Sequence, residues 1–166
     1  MKKSTSYLTR AAISAAIYPL LTVIFQPISF GAIQFRISEA LTLLPVLFPE
    51  AIPGLFVGCL MANLFGGGVW YDVMLGSVAT LLAALCARKF RSRPLLSAAM
   101  PVVFNGLLVG PVVYLAYIRP AGAPISWTLM YSSIGTVALG EAVVCYVLGL
   151  LLLKVLRRLP EKYLNP

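Results

Sequence analysis

Long apolar runs, broken only at intervals by short polar or Gly/Pro-rich stretches, set the pattern of this chain. The runs are too continuous for the alternation of a half-buried strand. They are also too uniformly apolar for helices with one wet face. Six helices are predicted. Helix 1 covers about residues 8–25 and breaks at Gln26-Pro27-Ile28-Ser29-Phe30-Gly31. Helix 2 covers about 35–50, with Pro45 expected to bend it, and helix 3 covers 51–65, stopping at Gly66-Gly67-Gly68. Helix 4 follows Trp70-Tyr71, with Asp72 placed to cap it, and ends in the basic stretch 88–93. Helix 5 covers about 95–118. The turn Arg119-Pro120-Ala121-Gly122-Ala123-Pro124 leads to helix 6, about 126–159.

Charge turns this pattern into a topology. Of the 166 residues 60% are hydrophobic and 11% charged, and the mean hydropathy is +0.93. So little polarity makes the bilayer the solvent. The net charge of +8 is not spread over a face that would suit nucleic acid. Eleven of the 13 basic residues fall in three clusters: Lys2, Lys3 and Arg10; Arg88, Lys89, Arg91 and Arg93; Lys154, Arg157, Arg158 and Lys162. Clusters flanking apolar runs read as cytoplasmic anchors with an attraction to anionic membrane lipid. An even number of spans then separates each pair. The expectation is an all-α, polytopic membrane protein, a single six-helix domain over 1–166 with both termini cytoplasmic. The first run is too long and too interrupted by Pro19 and Pro27 for a cleaved signal peptide, so it reads as the first span.

Within this background Glu141 stands out. It is the only charged residue between Arg119 and Lys154, 14 residues after Trp127 and 13 before Lys154. A charge at that depth costs roughly 2.5–3.5 kcal/mol on insertion scales, so it belongs in a protein-lined polar interior. Asn105 lies at nearly the same depth on helix 5, Asn63 slightly nearer the outside on helix 3, and Glu39 in the first turn of helix 2. Together with Asp72 they outline a pocket opening outward. Each has a plainer reading. Glu141, Asn63 and Asn105 can bond to neighbouring helices, Arg36 can pair with Glu39 at i−3 on a helix surface, and Asp72 can be a cap. Trp70, Tyr71, Trp127 and Tyr131 suit either stacking walls or an interfacial aromatic belt. Glu50 and Glu161, at helix ends, read as solvated. Carboxylates plus amides, with few cations, favour a ligand that donates hydrogen bonds or carries positive charge, such as a guanine-like base edge. Only Arg36 could serve an anionic ligand.

The remaining chemistry is sparse. Cys59, Cys86 and Cys145 show no metal or redox spacing and read as free thiols; the chain has no histidine, so metal and acid–base sites are not expected, nor is a cofactor. Small residues recur at four-residue spacing: Ala11 and Ala15, Ala12 and Ala16, Gly54 and Gly58, Gly106 and Gly110. These let helix backbones approach closely, within the bundle or against a partner.

The string Gln34-Phe35-Arg36-Ile37-Ser38-Glu39-Ala40-Leu41-Thr42-Leu43-Leu44-Pro45 resembles the signature of the QueT family. These are queuosine-precursor-specific S components of energy-coupling factor (ECF) transporters. The resemblance extends over the whole chain, including Asn63 before the glycine turn, Trp70-Tyr71-Asp72 and Glu141. It implies the ECF S-component fold in a bacterial cell membrane and no enzymatic activity. It also implies capture of a 7-deazaguanine, the aminomethyl form above others, by Glu39, Glu141, Asn105, Asn63, Asp72, Arg36, Tyr71, Trp70 and Tyr131. Ala11 and Ala15, or Ala12 and Ala16, would dock on a transmembrane T component that is itself carried by two ABC ATPases. The chain has no GxxxxGK[ST] loop with which to use ATP itself. The competing readings are a stand-alone cation- or proton-coupled carrier, an S component for another vitamin-like ligand, and a small intramembrane enzyme.

Overall fold

Gly54 and Gly58 set how closely helices 1 and 3 approach. In the computed structural model, which describes residues 2–29 and 35–160, helix 1 runs Lys2–Ile24 and packs most extensively on helix 3, Ala51–Phe65. A Cβ added at Gly54 would run into the carbonyl of Ala11 and lie 2.9 Å from Ser14 Cβ. One added at Gly58 would lie 2.8 Å from Tyr18 Cβ and 3.2 Å from the Ala15 carbonyl. Lipid tails are as apolar as leucine, so this close van der Waals packing replaces a hydrophobic drive. Gly106 and Gly110 play the same part between helices 5 and 6, against Ala138 and Ile134.

Helix 2, Ile37–Val46, is a 3-10 helix over its whole ten residues rather than an α-helix bent at Pro45. It touches all five other helices and is buried on nearly every side. At about 2.0 Å per residue it reaches about 20 Å, and its three-residue turn aligns Glu39 and Thr42 along one edge. Runs this long are uncommon, and tertiary packing holds this one. Its last carbonyls are tied down by Arg88, whose Nη1 donates to Pro45 O at 3.2 Å and to Val46 O at 3.0 Å.

Helix 4 runs Trp70–Lys89, helix 5 Pro94–Ile118 and helix 6 Trp127–Leu156. Helix 5 widens into π-helix at Asn105–Val109 and Tyr114–Ile118, and helix 6 at Val144–Gly149. Pro111 supplies no N–H for the Leu107 carbonyl, inside the first of these segments, so the α ladder gives way there. A one-turn helix, Gln26–Ser29, follows helix 1. No strand occurs among the described residues. Four helices are long and apolar enough to cross a bilayer: Thr5–Ile24, Trp70–Lys89, Pro94–Ile118 and Trp127–Leu156; helices 2 and 3 are shorter.

The distribution of side chains suits lipid on the outside. Leu8, Leu20, Leu107, Leu139 and Val147 are exposed, whereas Thr22, Ser38, Glu39, Thr42, Asn63, Asp72, Ser77 and Thr80 are fully buried. Residues 30–34, Glu161 and Lys162 lie outside the described residues, as do the side chains of Lys2 and Lys3.

Candidate ligand-binding site

Glu39 sits at the centre of the bundle. The Tyr18 hydroxyl of helix 1 donates to its Oε1, and Thr80 Oγ1 of helix 4 donates to the same atom at 3.1 Å. Thr80 also lies 3.3 Å from Cys59 Sγ on helix 3, to which Asn63 Nδ2 donates at 3.5 Å. On the opposite side Cys145 Sγ of helix 6 lies 3.8 Å from both the Glu39 carbonyl oxygen and Glu141 Oε2. The two acids, from helices 2 and 6, interact electrostatically, and Asn105 of helix 5 faces both.

A second tier lies toward the start of helix 4. Asp72 is fully buried, and its Oδ2 accepts from the Tyr117 hydroxyl at 2.7 Å. It is not the predicted helix cap: Val69 occupies that position, and the first turn of helix 4 turns Asp72 inward. The Arg36 guanidinium lies between the tiers, within electrostatic reach of Glu39, Asp72 and Glu141, and is buried, so a surface pairing with Glu39 does not occur. Gly76 makes room here: a Cβ in its place would come within 2.9 Å of Asn63 Nδ2.

Among the described residues, Glu39 Oε2, Asn63 Oδ1, Asp72 Oδ1 and Asn105 Nδ2, each buried and each from a different helix, have no hydrogen-bond partner. Folded interiors leave few such groups, because each costs about 1–3 kcal/mol when desolvated and unpaired. Acceptors and a donor are both among them, so the cluster can meet a molecule that offers hydrogen-bond donors to its acids.

The remaining candidates divide. Tyr71 is half-buried, but Trp70 and Tyr131 are 77% and 66% exposed and point away from the acids. Trp70 meets Tyr71 edge to face at 5.5 Å and Tyr131 leans on Trp127 at 6.4 Å, pairs on the outer surface that fit an aromatic belt rather than stacking walls. Ala11 and Ala15 are partly covered by helix 3, whereas Ala12 and Ala16 are exposed. Glu50, expected to be solvated, lies 3.9 Å from Arg10, which also stacks on Phe48. An apolar groove of about 410 Å³ opens on the flank between helices 1, 2 and 6, floored by Leu41, Leu44 and Leu152, and contains none of the clustered acids.

Sequence reasoning passed over Tyr18, Thr80 and Tyr117, and read Cys59 and Cys145 as free thiols without a place beside the acids. A signal for two of them was present: Ser14, Tyr18 and Thr22 form a polar stripe at four-residue spacing on helix 1, as Asp72, Gly76 and Thr80 do on helix 4.

The model of the QueT transporter family matches residues 8–158. The chain belongs to the QueT transporter family. A curated relative, the queuosine precursor transporter QueT of Lactococcus lactis subsp. cremoris (strain MG1363), is 39% identical over 85 residues, which cover 49% of this chain and 50% of that protein. The chain thus matches about half the length of that relative. No solved structure matches it. Family membership and the four long apolar helices make it a multi-pass membrane protein.

Proposed function

We propose that this QueT family member is the substrate-capturing subunit of an ECF-type importer and that its ligand is a 7-deazaguanine precursor of queuosine, the 7-aminomethyl form in particular. The observation that carries this is the set of unpartnered buried atoms on four helices, acceptors of Glu39, Asn63 and Asp72 among them, around two electrostatically interacting acids. A guanine-type edge presents adjacent N–H groups that one carboxylate accepts together. An aminomethyl ammonium then supplies positive charge for a second acid, beside the charge Arg36 already brings to the cluster. A nitrile in place of the ammonium would leave one carboxylate without a cationic partner. The relative's name supports a queuosine precursor as cargo.

In this reading six helices cross or enter the membrane with both termini in the cytoplasm, as the three basic clusters require. Transport energy comes from a T component and two ATPases. The docking face on helix 1 is Ala12 and Ala16, since Ala11 and Ala15 are already engaged with Gly54 and Gly58.

Isothermal calorimetry of the purified chain in detergent, without ATP, tests the proposal. Tight binding of 7-aminomethyl-7-deazaguanine, weaker binding of the 7-cyano analogue and none of guanosine are expected. No binding of any deazaguanine overturns it.

A further inference from the structure

Tyr18 belongs to helix 1, which the acid cluster would not need for its charge, yet it is wholly buried and its hydroxyl meets Glu39. Its place is fixed by backbone packing: Gly58 admits Tyr18 Cβ against helix 3, and the next turn of helix 1 repeats the link, Thr22 Oγ1 lying 2.7 Å from Ser38 Oγ. Both partners, Ser38 and Glu39, are adjacent residues of helix 2. The result at Glu39 is asymmetric. Oε1 takes the bonds from Tyr18 and Thr80, and Oε2 is buried with no hydrogen-bond partner. A carboxyl group pinned through one oxygen has lost its rotation, and its free oxygen points in a fixed direction. Recognition of a planar donor edge needs that loss in advance, since the ordering cost is otherwise met at binding.

We propose that Tyr18 is a positioning residue for ligand recognition: its hydroxyl fixes the Glu39 carboxyl group so that Oε2 is presented to the ligand's N–H donors. The proposal rests on the ligand reading above and assigns part of its specificity to a helix that contributes no acid.

The test is a double-mutant cycle with Tyr18→Phe and Glu39→Gln, read by calorimetry against 7-aminomethyl-7-deazaguanine. It is joined by infrared spectra of the ligand-free proteins, in which the Glu39 carboxyl band is identified by its loss in Glu39→Gln. Tyr18→Phe keeps the ring packing, is expected to bind about tenfold more weakly, and should have no further effect once Glu39 is Gln. The Glu39 band is expected to shift in Tyr18→Phe without ligand. Unchanged affinity, strictly additive losses, or an unshifted band overturns the proposal. If the unmutated chain binds no deazaguanine, the ligand reading falls, and the band alone decides whether Tyr18 holds Glu39.

Discussion

Glu39 and Glu141 are 102 positions apart in the chain and share one polar interior, bridged by the Cys145 thiol. The burial of Glu141 was legible in the sequence, because a lone acid amid apolar residues has few tolerable surroundings. The mutual orientation of the two acids was not, since it depends on how helix 2 winds. Glu141→Gln and Glu39→Gln are each expected to weaken deazaguanine binding by at least about 1.5 kcal/mol, the lower range for hydrogen bonds to charged groups; calorimetry measures it. Trp70→Ala and Tyr131→Ala, whose side chains point outward, should leave the affinity within about twofold of the unmutated chain by the same measurement. Aromatic residues near a membrane boundary carry both meanings in a sequence, and only side-chain direction separates them. Asp72 carried two meanings as well: its position in the first turn also allowed a cap, and the Tyr117 hydroxyl that donates to it lies 45 residues on.

At the scale of elements, helix 1 presents two faces. One holds Tyr18 and Thr22 against helix 2 and Ala11 and Ala15 against helix 3; the other leaves Ala12 and Ala16 uncovered. The small-residue spacing was visible in the sequence, but two overlapping registers satisfied it equally, and only the position of Gly54 and Gly58 tells them apart. Gly58→Val is expected to destabilise the fold by about 1–3 kcal/mol, as overpacking does, and to lower the thermal unfolding midpoint of the detergent-solubilised protein. Ala12→Leu with Ala16→Leu should leave that midpoint and ligand affinity unchanged while abolishing uptake of radiolabelled precursor in cells that supply the T component and ATPases. Helix 2 was predicted as a helix and found as one, but not its 3-10 winding: apolar content marks burial all round, whereas the number of residues per turn is set by five neighbouring helices. The π segments of helices 5 and 6 escaped prediction for a related reason, although Pro111 marked a place where the α ladder had to yield.

For the molecule as a whole, apolar runs and basic clusters were enough to predict an all-helical membrane bundle, and the structure adds a polar interior that a list of runs does not contain. That interior holds the proposed recognition groups, and the sequence holds no nucleotide-binding loop. Vesicles containing the purified chain alone are therefore expected to bind labelled precursor and not to accumulate it, with or without a proton gradient; accumulation would indicate a self-sufficient carrier. The most direct test of the central claim, that acids from helices 2 and 6 converge on one donor-rich ligand, is the coupling between them. Affinities of the unmutated chain, Glu39→Gln, Glu141→Gln and the double variant for 7-aminomethyl-7-deazaguanine, measured by calorimetry, give that coupling. A non-additive cycle, the double variant losing less than the summed losses of the single variants by at least about 0.5 kcal/mol, is the predicted result. Full affinity in both single variants would contradict the account.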